Sequence, residues 1–238
     1  MTKSLRTQLR LLPTHTGPFP LPPPTPSSLP STPTAAFQTW LHDAITAGVI
    51  EPHALTLSTV DSSTGIPDSR VLILKDLDSA RGWQFAIRGD GPKAAQLDGN
   101  PGVALCFYWA ELGRQVRIRG RAVRLSVEEE ERDWEGRPRA SKVAAAASRT
   151  QSAVLGSLEE LRGSVERVIS TATASDSTGR EEIQRPAWRV YAVSPVVVEF
   201  WQRSSDRLHQ RVRFRKAEKD DREGGEGEDG WVKELLWP

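Results

Sequence analysis

Cysteine and histidine are scarce in this chain, and their scarcity excludes several kinds of site. Cys106 is the only cysteine among 238 residues, which excludes an internal disulfide and a multi-cysteine metal site. The four histidines have no metal-ligand spacing, so we predict no metal site. Nucleophile motifs such as G-x-S-x-G are also missing. Because one cysteine suits a reducing, intracellular setting, we expect a cytoplasmic protein.

Long apolar runs and an excess of charge of one sign are missing too. No stretch approaches the roughly 18 apolar residues of a membrane span, and no secretory signal follows the start. Lysine and arginine number 32 against 31 acidic residues, which leaves no bulk field to attract nucleic acid or a membrane surface. We expect neither partner. No glycine-rich phosphate loop follows a predicted strand, which argues against nucleotide binding of the Rossmann or P-loop kind.

The first 33 residues hold nine prolines and no acidic residue. Such a segment cannot bury enough apolar surface to order itself, so we predict a flexible, basic, proline-rich arm over 1–33 and a folded domain over 34–238. The arm also fits an organelle transit peptide, although a flexible arm near a neighbouring site is the simpler prediction. Within the domain, the polar stretches 170–184 and 216–230 are predicted to be disordered loops.

The domain alternates short β-rich runs with polar turns, which indicates an antiparallel barrel or sandwich rather than a βαβ fold. A helix capped by Thr34 precedes the first run. The apolar stretch 102–109 predicts a strand buried on both faces, with Cys106 as a small core residue. The stretch 114–123 alternates strictly, and Gly120 within it permits the bend that a closed barrel needs. We predict a mainly β, α+β fold with peripheral helices.

A hairpin near the C-terminus carries the densest row of basic side chains. Val196 begins an apolar β-branched run, a polar turn follows, and the chain returns in alternation. Side chains two apart share one face of a strand, so we expect His209, Arg211 and Arg213 to line up, with Arg207 extending the row. A solvated sheet face is the simple interpretation of this row, and a site for a phosphate or another anion is the alternative.

Cations accompanied by hydroxyl or amide groups recur along the chain, and phosphate oxygens bind to such sets. The groups are Arg70, Lys75, Lys93, Gln115, Arg137, Ser141, Gln151, Ser152, Arg207, His209 and Arg211. Arg70 and Lys75 are five positions apart, so on a regular strand they face opposite sides and serve two sites or two ends of a long ligand. Taken separately, each of these groups is also explained by a salt bridge on the protein surface. The spacing therefore leads no further than a phosphorylated ligand.

These residues fall in blocks that resemble the signature of the pyridoxamine 5′-phosphate oxidase family. The blocks are Arg70-Val-Leu-Ile-Leu-Lys75, Asn100-Pro101, Arg114-Gln-Val-Arg117, Arg137-Pro-Arg-x-Ser141, Gln151-Ser152 and Glu199-Phe-Trp-Gln with Arg207-Leu-His-x-Arg211. The resemblance runs from about Phe37 to the C-terminus, and its last block is quite specific. It implies an antiparallel FMN-binding split β-barrel that works as a homodimer, with two flavins at the subunit interface.

The resemblance also implies a role for each matched residue. The FMN contacts would be Arg70, Val71, Leu72, Ile73, Leu74, Lys75, Ala86, Ile87, Lys93, Gln115, Gln151, Ser152, Trp201 and Arg211. The substrate phosphate would meet Lys75, Arg137 and Ser141. Arg207 and His209 would be the catalytic residues that hold the pyridine ring against the flavin. The implied reaction oxidises pyridoxamine or pyridoxine 5′-phosphate to pyridoxal 5′-phosphate, with dioxygen as acceptor and hydrogen peroxide as product.

The chain departs from the family pattern at positions that bear on the substrate. A tyrosine expected four residues before Arg137 is Asp133, and a carboxylate there would repel a phosphate unless it is turned away. An expected arginine is Pro92, so we expect Arg88 nearby to compensate for the missing cation. Two alternatives stay open: a split-barrel flavoenzyme with another substrate, such as a phenazine-type oxidase or a reductase, and a non-catalytic protein that binds flavin or a phosphate ligand.

Overall fold

The computed structural model describes residues 4–13, 17, 19–173, 183–218 and 230–238, and it is built on an eight-stranded sheet. The strands are β1 (Ala54–Val60), β2 (Pro67–Asp78), β3 (Gly82–Arg88), β4 (Gly102–Trp109), β5 (Arg114–Arg124), β6 (Trp188–Gln202), β7 (Gln210–Lys216) and β8 (Trp231–Leu236). The helices are α1 (Leu5–Arg10), α2 (Pro33–Thr46), α3 (Pro92–Gly99), α4 (Val127–Glu135), α5 (Arg139–Ala147) and α6 (Leu158–Thr173), and a short 3₁₀ helix spans Ala110–Leu112.

The strand order is β3-β2-β1-β4-β5-β6-β7-β8, and β3 also pairs with β6. This additional antiparallel pairing runs from Trp83 opposite Val193 to Arg88 opposite Trp188, and it closes six strands into a barrel. The predicted antiparallel barrel with peripheral helices is therefore confirmed.

The chain divides into two compact units. The barrel unit comprises His53–Cys106 and Ile118–Val197, and it contains the pairing that closes the barrel. The terminal unit comprises Met1–Pro52, Phe107–Arg117 and Val198–Pro238, and it contains the β7–β8 pair. No helix in the described part of the chain is long and apolar enough to span a bilayer.

Burial along the strands follows the alternation in the sequence. On β5, Val116, Ile118 and Ala122 are buried, as their period of two predicts. On β4 the prediction of two buried faces is wrong. Its buried side chains alternate with partly exposed ones, so that Cys106 is only half-buried and Tyr108 is 50% exposed. Apolar composition alone did not show that this strand has one open face.

The terminal unit is organised around the buried guanidinium of Arg114. Its Nη1 donates to Asp43 Oδ2 over 2.7 Å, its Nε donates to Gln202 Oε1 over 3.0 Å, and the group lies 4.1 Å from the centre of the Trp40 ring. Burial lowers the pKa of Arg114, and the carboxylate of Asp43 acts against that shift. Helix α2 begins two residues before the prediction, because Thr32 rather than Thr34 caps it through a bond from Ala35 N–H.

Part of the predicted flexible arm contacts the terminal unit. Leu5–Arg10 forms α1, and Leu29 is buried. The carbonyl of Leu29 accepts from Lys233 Nζ over 3.0 Å, and the carbonyl of Leu21 accepts from Gln202 Nε2 over 2.8 Å. Ordered contacts therefore begin before residue 34. Positions 1–3, 14–16 and 18 of the arm lie outside the described residues.

The two predicted loops are shorter than the sequence suggested. Residues 170–173 belong to α6, and Lys216 ends β7. The small and polar residues after Val168 gave no sign that the helix continues, which explains the first error. The remaining parts, 174–182 and 219–229, lie outside the described residues.

Gly120 has a specific reason to be glycine within the barrel unit. A Cβ at this position would lie 2.2 Å from the carbonyl oxygen of Ser194 on β6, a distance that no side chain tolerates. Gly82 has the same relation to the carbonyl oxygen of Val193, at 2.1 Å, and its φ is +91°. The two glycines thus allow β6 to pass close to its neighbours.

We predict that Gly120→Ala lowers the free energy of unfolding by about 1–3 kcal/mol or more, because the new methyl group displaces the β6 backbone. The matched control is Gly136→Ala, where a Cβ would meet nothing closer than 3.5 Å. Urea unfolding of both variants at one protein concentration measures the difference. Equal stability of the two would show that β6 moves without cost.

Candidate functional site

A cavity of about 830 Å³ in the barrel unit collects most of the residues predicted to bind the cofactor or the substrate phosphate. Its walls come from β2, β3, the start of α3, α5 and the turn that follows α5. The predicted residues that line it are Arg70, Val71, Leu72, Ala86, Ile87, Lys93, Arg137, Ser141, Gln151 and Ser152. Ile73, Leu74 and Lys75 belong to the same unit but are not among its lining residues.

Arg70 marks one side of this cavity and is held by polar neighbours. Its Nη1 donates to Thr59 Oγ1 over 2.6 Å, and its Nη2 donates to Gln96 Oε1 over 3.2 Å and pairs with Asp68. Thr59 in turn donates to Gln96 over 2.5 Å. The guanidinium therefore has a fixed direction before any ligand arrives, as binding groups in organised sites do.

Lys93 lies at the first turn of α3 and is buried. Its Nζ donates to Gln151 Oε1, and no other partner of this ammonium is present among the described residues. Burial and the nearby charge of Arg70 lower the pKa of Lys93 below its ordinary value. Gly91 makes room for this contact, because a Cβ there would lie 2.7 Å from the same amide oxygen.

Arg88 is fully occupied by the protein itself. Its Nε and Nη2 bond to Asp90, its Nη1 donates to the carbonyls of Ala145 and Ser148, and its Nη2 also donates to the carbonyl of Arg149. All five guanidinium N–H groups are used, three of them on the carbonyl end of α5 and its continuation. The expectation that Arg88 replaces the missing phosphate cation is therefore wrong, and its role is to hold the segment that leads to Gln151.

Arg137 differs from Arg88 because its bonding is incomplete. Its guanidinium lies 4.2 Å from the centre of the Trp188 ring and 6.0 Å from that of Trp134. Its Nε is buried without a hydrogen-bond partner among the described residues. Burial lowers the pKa of Arg137, while Asp133 acts in the opposite direction. A partly buried cation with an unused, buried donor atom is the kind of group that an anionic ligand satisfies.

Asp133, the departure from the family pattern, bonds within the protein. Its Oδ2 accepts from Trp188 Nε1 over 2.8 Å, and its Oδ1 lies 3.8 Å from Lys75 Nζ. The expected repulsion between Asp133 and a phosphate is thus reduced, because one carboxylate oxygen accepts from Trp188 and the other lies beside the cation of Lys75.

Two of the predicted site residues have unusual backbone geometry. Ser152 has a φ of +69° and Arg207 a φ of +67°, and only one other non-glycine residue, Glu51, shares this left-handed conformation among the described residues. Such conformations cost of order 1–3 kcal/mol each and cluster at functional sites. The two turns are therefore candidates for a functional role.

The other predicted residues, Gln115, Trp201, Arg207, His209 and Arg211, belong to the terminal unit. The Trp201 and His209 rings lie 4.9 Å apart, and His209 Nδ1 accepts from Ser204 N–H over 3.2 Å. Arg211 donates to Glu199 over 2.9 Å and to the Trp237 carbonyl over 3.0 Å.

The expected basic row of the hairpin is interrupted at Arg207. Strand β7 begins only at Gln210, and the left-handed backbone of Arg207 takes it out of line. The residue is exposed, and its guanidinium bonds to no described residue. Arg213 and Arg215 both pair with Glu234 on β8, so their charges are balanced within the hairpin and its neighbouring strand. Burial raises the pKa of Glu234, but the two arginines outweigh it and hold the pKa below its ordinary value.

Sequence reasoning missed the contribution of Trp188. This residue lines the cavity, stacks on Arg137 and bonds to Asp133, which precedes it by 55 positions. The only signal was that an aromatic residue begins β6. Nothing local in the sequence identified its neighbours.

The groups that line the cavity fit a ligand with a phosphate and an extended flat body. Lys93 and Arg70 provide cations on one side, and Arg137 has a spare donor. Val71, Leu72, Ala86 and Ile87 supply apolar wall. Residues that match FMN binding in the family are thus present and chemically suited to that cofactor.

Comparison with known proteins supports this interpretation. Residues 41–172 match a family described as pyridoxamine 5′-phosphate oxidase, and residues 188–238 match the pyridoxine 5′-phosphate oxidase C-terminal dimerisation region. A pyridoxine/pyridoxamine 5′-phosphate oxidase of Granulibacter bethesdensis is 38% identical over 87% of this chain and 91% of its own length. One of Bombyx mori is 37% identical over 87% of this chain and 80% of its own length.

A solved structure is similar over almost the whole chain. It is PhzG from Burkholderia lata 383 in complex with tetrahydrophenazine-1-carboxylic acid, which is 30% identical and has a TM-score of 0.79. The match covers 93% of this chain and all of that one.

We predict that Arg88→Lys lowers the free energy of unfolding by about 1–3 kcal/mol, because one ammonium cannot serve the carbonyls and carboxylate that five N–H groups now satisfy. Arg149→Lys is the control, since Arg149 is 78% exposed and its pair with Glu160 contributes little. Thermal and urea unfolding report both. A stable Arg88→Lys protein would show that water replaces these bonds without loss.

Proposed function

The chain belongs to the pyridoxamine 5′-phosphate oxidase family, and from this premise we propose that it oxidises pyridoxine or pyridoxamine 5′-phosphate to pyridoxal 5′-phosphate. FMN is the proposed cofactor, and dioxygen is reduced by two electrons to hydrogen peroxide. With the amine substrate, one water enters and ammonia leaves. The observation that carries the proposal is the cavity of the barrel unit, which brings together matched residues for a flavin and for a phosphate. The match to the C-terminal dimerisation region supports a homodimer.

Each of the two units carries matched residues for the cofactor. In the cavity, Lys93 and Arg70 provide charge for the flavin phosphate, and Gln151 and Ser152 provide polar groups beside them. The β2 residues Val71 to Lys75 and the terminal-unit residues Gln115, Trp201 and Arg211 complete the proposed set. Bound FMN supplies the two-electron redox step, while the protein binds and orients.

The substrate phosphate is assigned to Arg137 and Ser141, with Lys75 as a further cation. Arg137 is the best supported of the three, because its buried Nε has no partner among the described residues and a phosphate oxygen would provide one. Ser141 lines the same cavity from the first turn of α5. This arrangement favours substrates that carry a phosphate.

Arg207 and His209 are assigned to the pyridine ring of the substrate. Because His209 Nδ1 accepts a bond from Ser204 N–H, the neutral imidazole carries its proton on Nε2 and presents a donor there. The guanidinium of Arg207 is exposed and uncommitted to described residues, so it is available to a ligand. Their task would be to orient the ring rather than to exchange protons.

The phenazine-type alternative rests on the likeness to PhzG and on Asp133 in place of the expected tyrosine. It is less well supported, because relatives named pyridoxine/pyridoxamine 5′-phosphate oxidase are more similar in sequence. The non-catalytic alternative is disfavoured by the same relatives, which are named as enzymes.

The decisive experiment supplies pyridoxamine 5′-phosphate to the FMN-loaded protein in air and measures pyridoxal 5′-phosphate and hydrogen peroxide together. We expect equal amounts of both products. Pyridoxamine without its phosphate is the comparison, and we expect a much higher KM for it. Absence of oxidation of every phosphorylated B6 compound would overturn the proposal, and turnover of a reduced phenazine carboxylate instead would favour the alternative.

We predict that Arg207→Asn lowers kcat/KM for pyridoxamine 5′-phosphate by about 10²-fold or more while FMN stays bound. Asparagine is chosen because it tolerates the left-handed backbone better than alanine, so the change removes the guanidinium with little added strain. Arg213→Gln in the same hairpin is the control and should keep wild-type turnover. Loss of flavin from the Arg207 variant would mean that this residue binds the cofactor instead.

We predict that FMN affinity falls as pH rises through the lowered pKa of Lys93. The protonated ammonium attracts the phosphate of FMN, whereas the neutral amine carries no charge to attract it. The fall should therefore begin at a lower pH than an ordinary lysine would give. Lys93→Arg keeps its charge at every accessible pH and should remove this dependence. Fluorescence titration of FMN across pH measures both proteins, and identical profiles would show that Lys93 does not meet the phosphate.

A further inference from the structure

We infer that Asp133 is a positioning residue that acts through Trp188 on Arg137 and so sets the preference of the site for phosphorylated ligands. The inference rests on the proposed function in one respect, namely that Arg137 binds the substrate phosphate. It concerns a residue that the family resemblance marks only as a departure. Its basis is a chain of three contacts inside the barrel unit.

The first contact fixes the indole of Trp188. A bond from Nε1 to the charged Asp133 Oδ2 over 2.8 Å is a charge-assisted hydrogen bond, stronger than one between neutral groups. Trp134 packs against the same ring, with centroids 5.6 Å apart. Both tryptophans belong to one buried apolar cluster with Val143 and Val190. The ring is thus held at its edge by Asp133 and on its sides by packing.

The second contact orients Arg137. Its guanidinium lies 4.2 Å from the Trp188 ring centre, so the plane of the ring limits the directions in which its N–H groups point. Arg137 Nε donates to no acceptor among the described residues. Stacking on Trp188 is therefore the main constraint on this cation, and a freer indole would leave the cation freer too.

The third contact involves Lys75. Its Nζ lies 3.8 Å from Asp133 Oδ1, so the carboxylate also partly neutralises this second proposed phosphate cation. Removing the charge of Asp133 and removing its hydrogen bond should therefore have different effects. Loss of the charge alone leaves Lys75 free to attract a phosphate. Loss of the hydrogen bond frees the Trp188 ring that Arg137 packs against.

The test compares the binding of pyridoxal 5′-phosphate and of pyridoxal to the FMN-loaded protein by isothermal titration. In Asp133→Leu and in Trp188→Phe we expect about tenfold weaker binding of the phosphorylated ligand and unchanged binding of pyridoxal. Asp133→Asn keeps an oxygen that accepts from the indole, so we expect its affinity to stay within about threefold of the wild type or to improve. Glu135→Gln, on the same helix and exposed, is the control.

A double variant shows whether Asp133 acts through Trp188. If it does, Asp133→Leu combined with Trp188→Phe should bind pyridoxal 5′-phosphate no more weakly than the poorer single variant. Additive losses would overturn the inference, as would equal losses for both ligands or a loss in Asp133→Asn equal to that in Asp133→Leu. Flavin content and circular dichroism show whether each variant is folded. If Asp133→Leu does not fold, Asp133→Asn and Trp188→Phe still decide the test.

Failure of the proposed reaction gives a different result from failure of this inference. The titration requires no turnover, so a protein that binds pyridoxal 5′-phosphate through Asp133 and Trp188 but oxidises no B6 compound would refute the reaction and keep the inference. A protein that oxidises pyridoxamine 5′-phosphate but binds pyridoxal 5′-phosphate equally well in all the variants would keep the reaction and refute the inference.

Discussion

A guanidinium that leaves water must find an acceptor for each of its N–H groups, and this requirement organises both units of the protein. Arg88 meets it with five bonds, two to Asp90 and three that join β3 to the end of α5 and the residues that follow. Arg114 meets part of it with bonds to Asp43 and Gln202 and a contact with the face of Trp40. Because removing one partner of a buried charge is costly, these two arginines fix the segments around them.

The same requirement identifies the cations that are open to a ligand. Arg137 is partly buried yet keeps an unused Nε, and Lys93 is buried with a single amide as partner. Arg207 is exposed on a left-handed turn. Proximity to the cavity alone does not identify a ligand-binding cation, because Arg88 lines the cavity while all its N–H groups are used within the protein.

Much of the fold was predictable because its signals are local. Alternation along β5 correctly placed Val116 and Ile118 inside. The pairings that complete the site were not, since Arg88 bonds to Ala145 across 57 positions and Asp133 meets Trp188 across 55. Motif resemblance located the matched residues along the chain, but only folding shows which of their donors are already used.

The bond between Lys93 and Gln151 has a consequence for selectivity. Any anion that binds this ammonium competes with an amide oxygen already in place, so a small ion such as inorganic phosphate gains little by displacing it. A larger ligand that offers the released amide a new partner compensates for the exchange. Free inorganic phosphate would then compete little with the larger ligand. Selectivity between the two would depend on the amide of Gln151 as much as on the ammonium of Lys93.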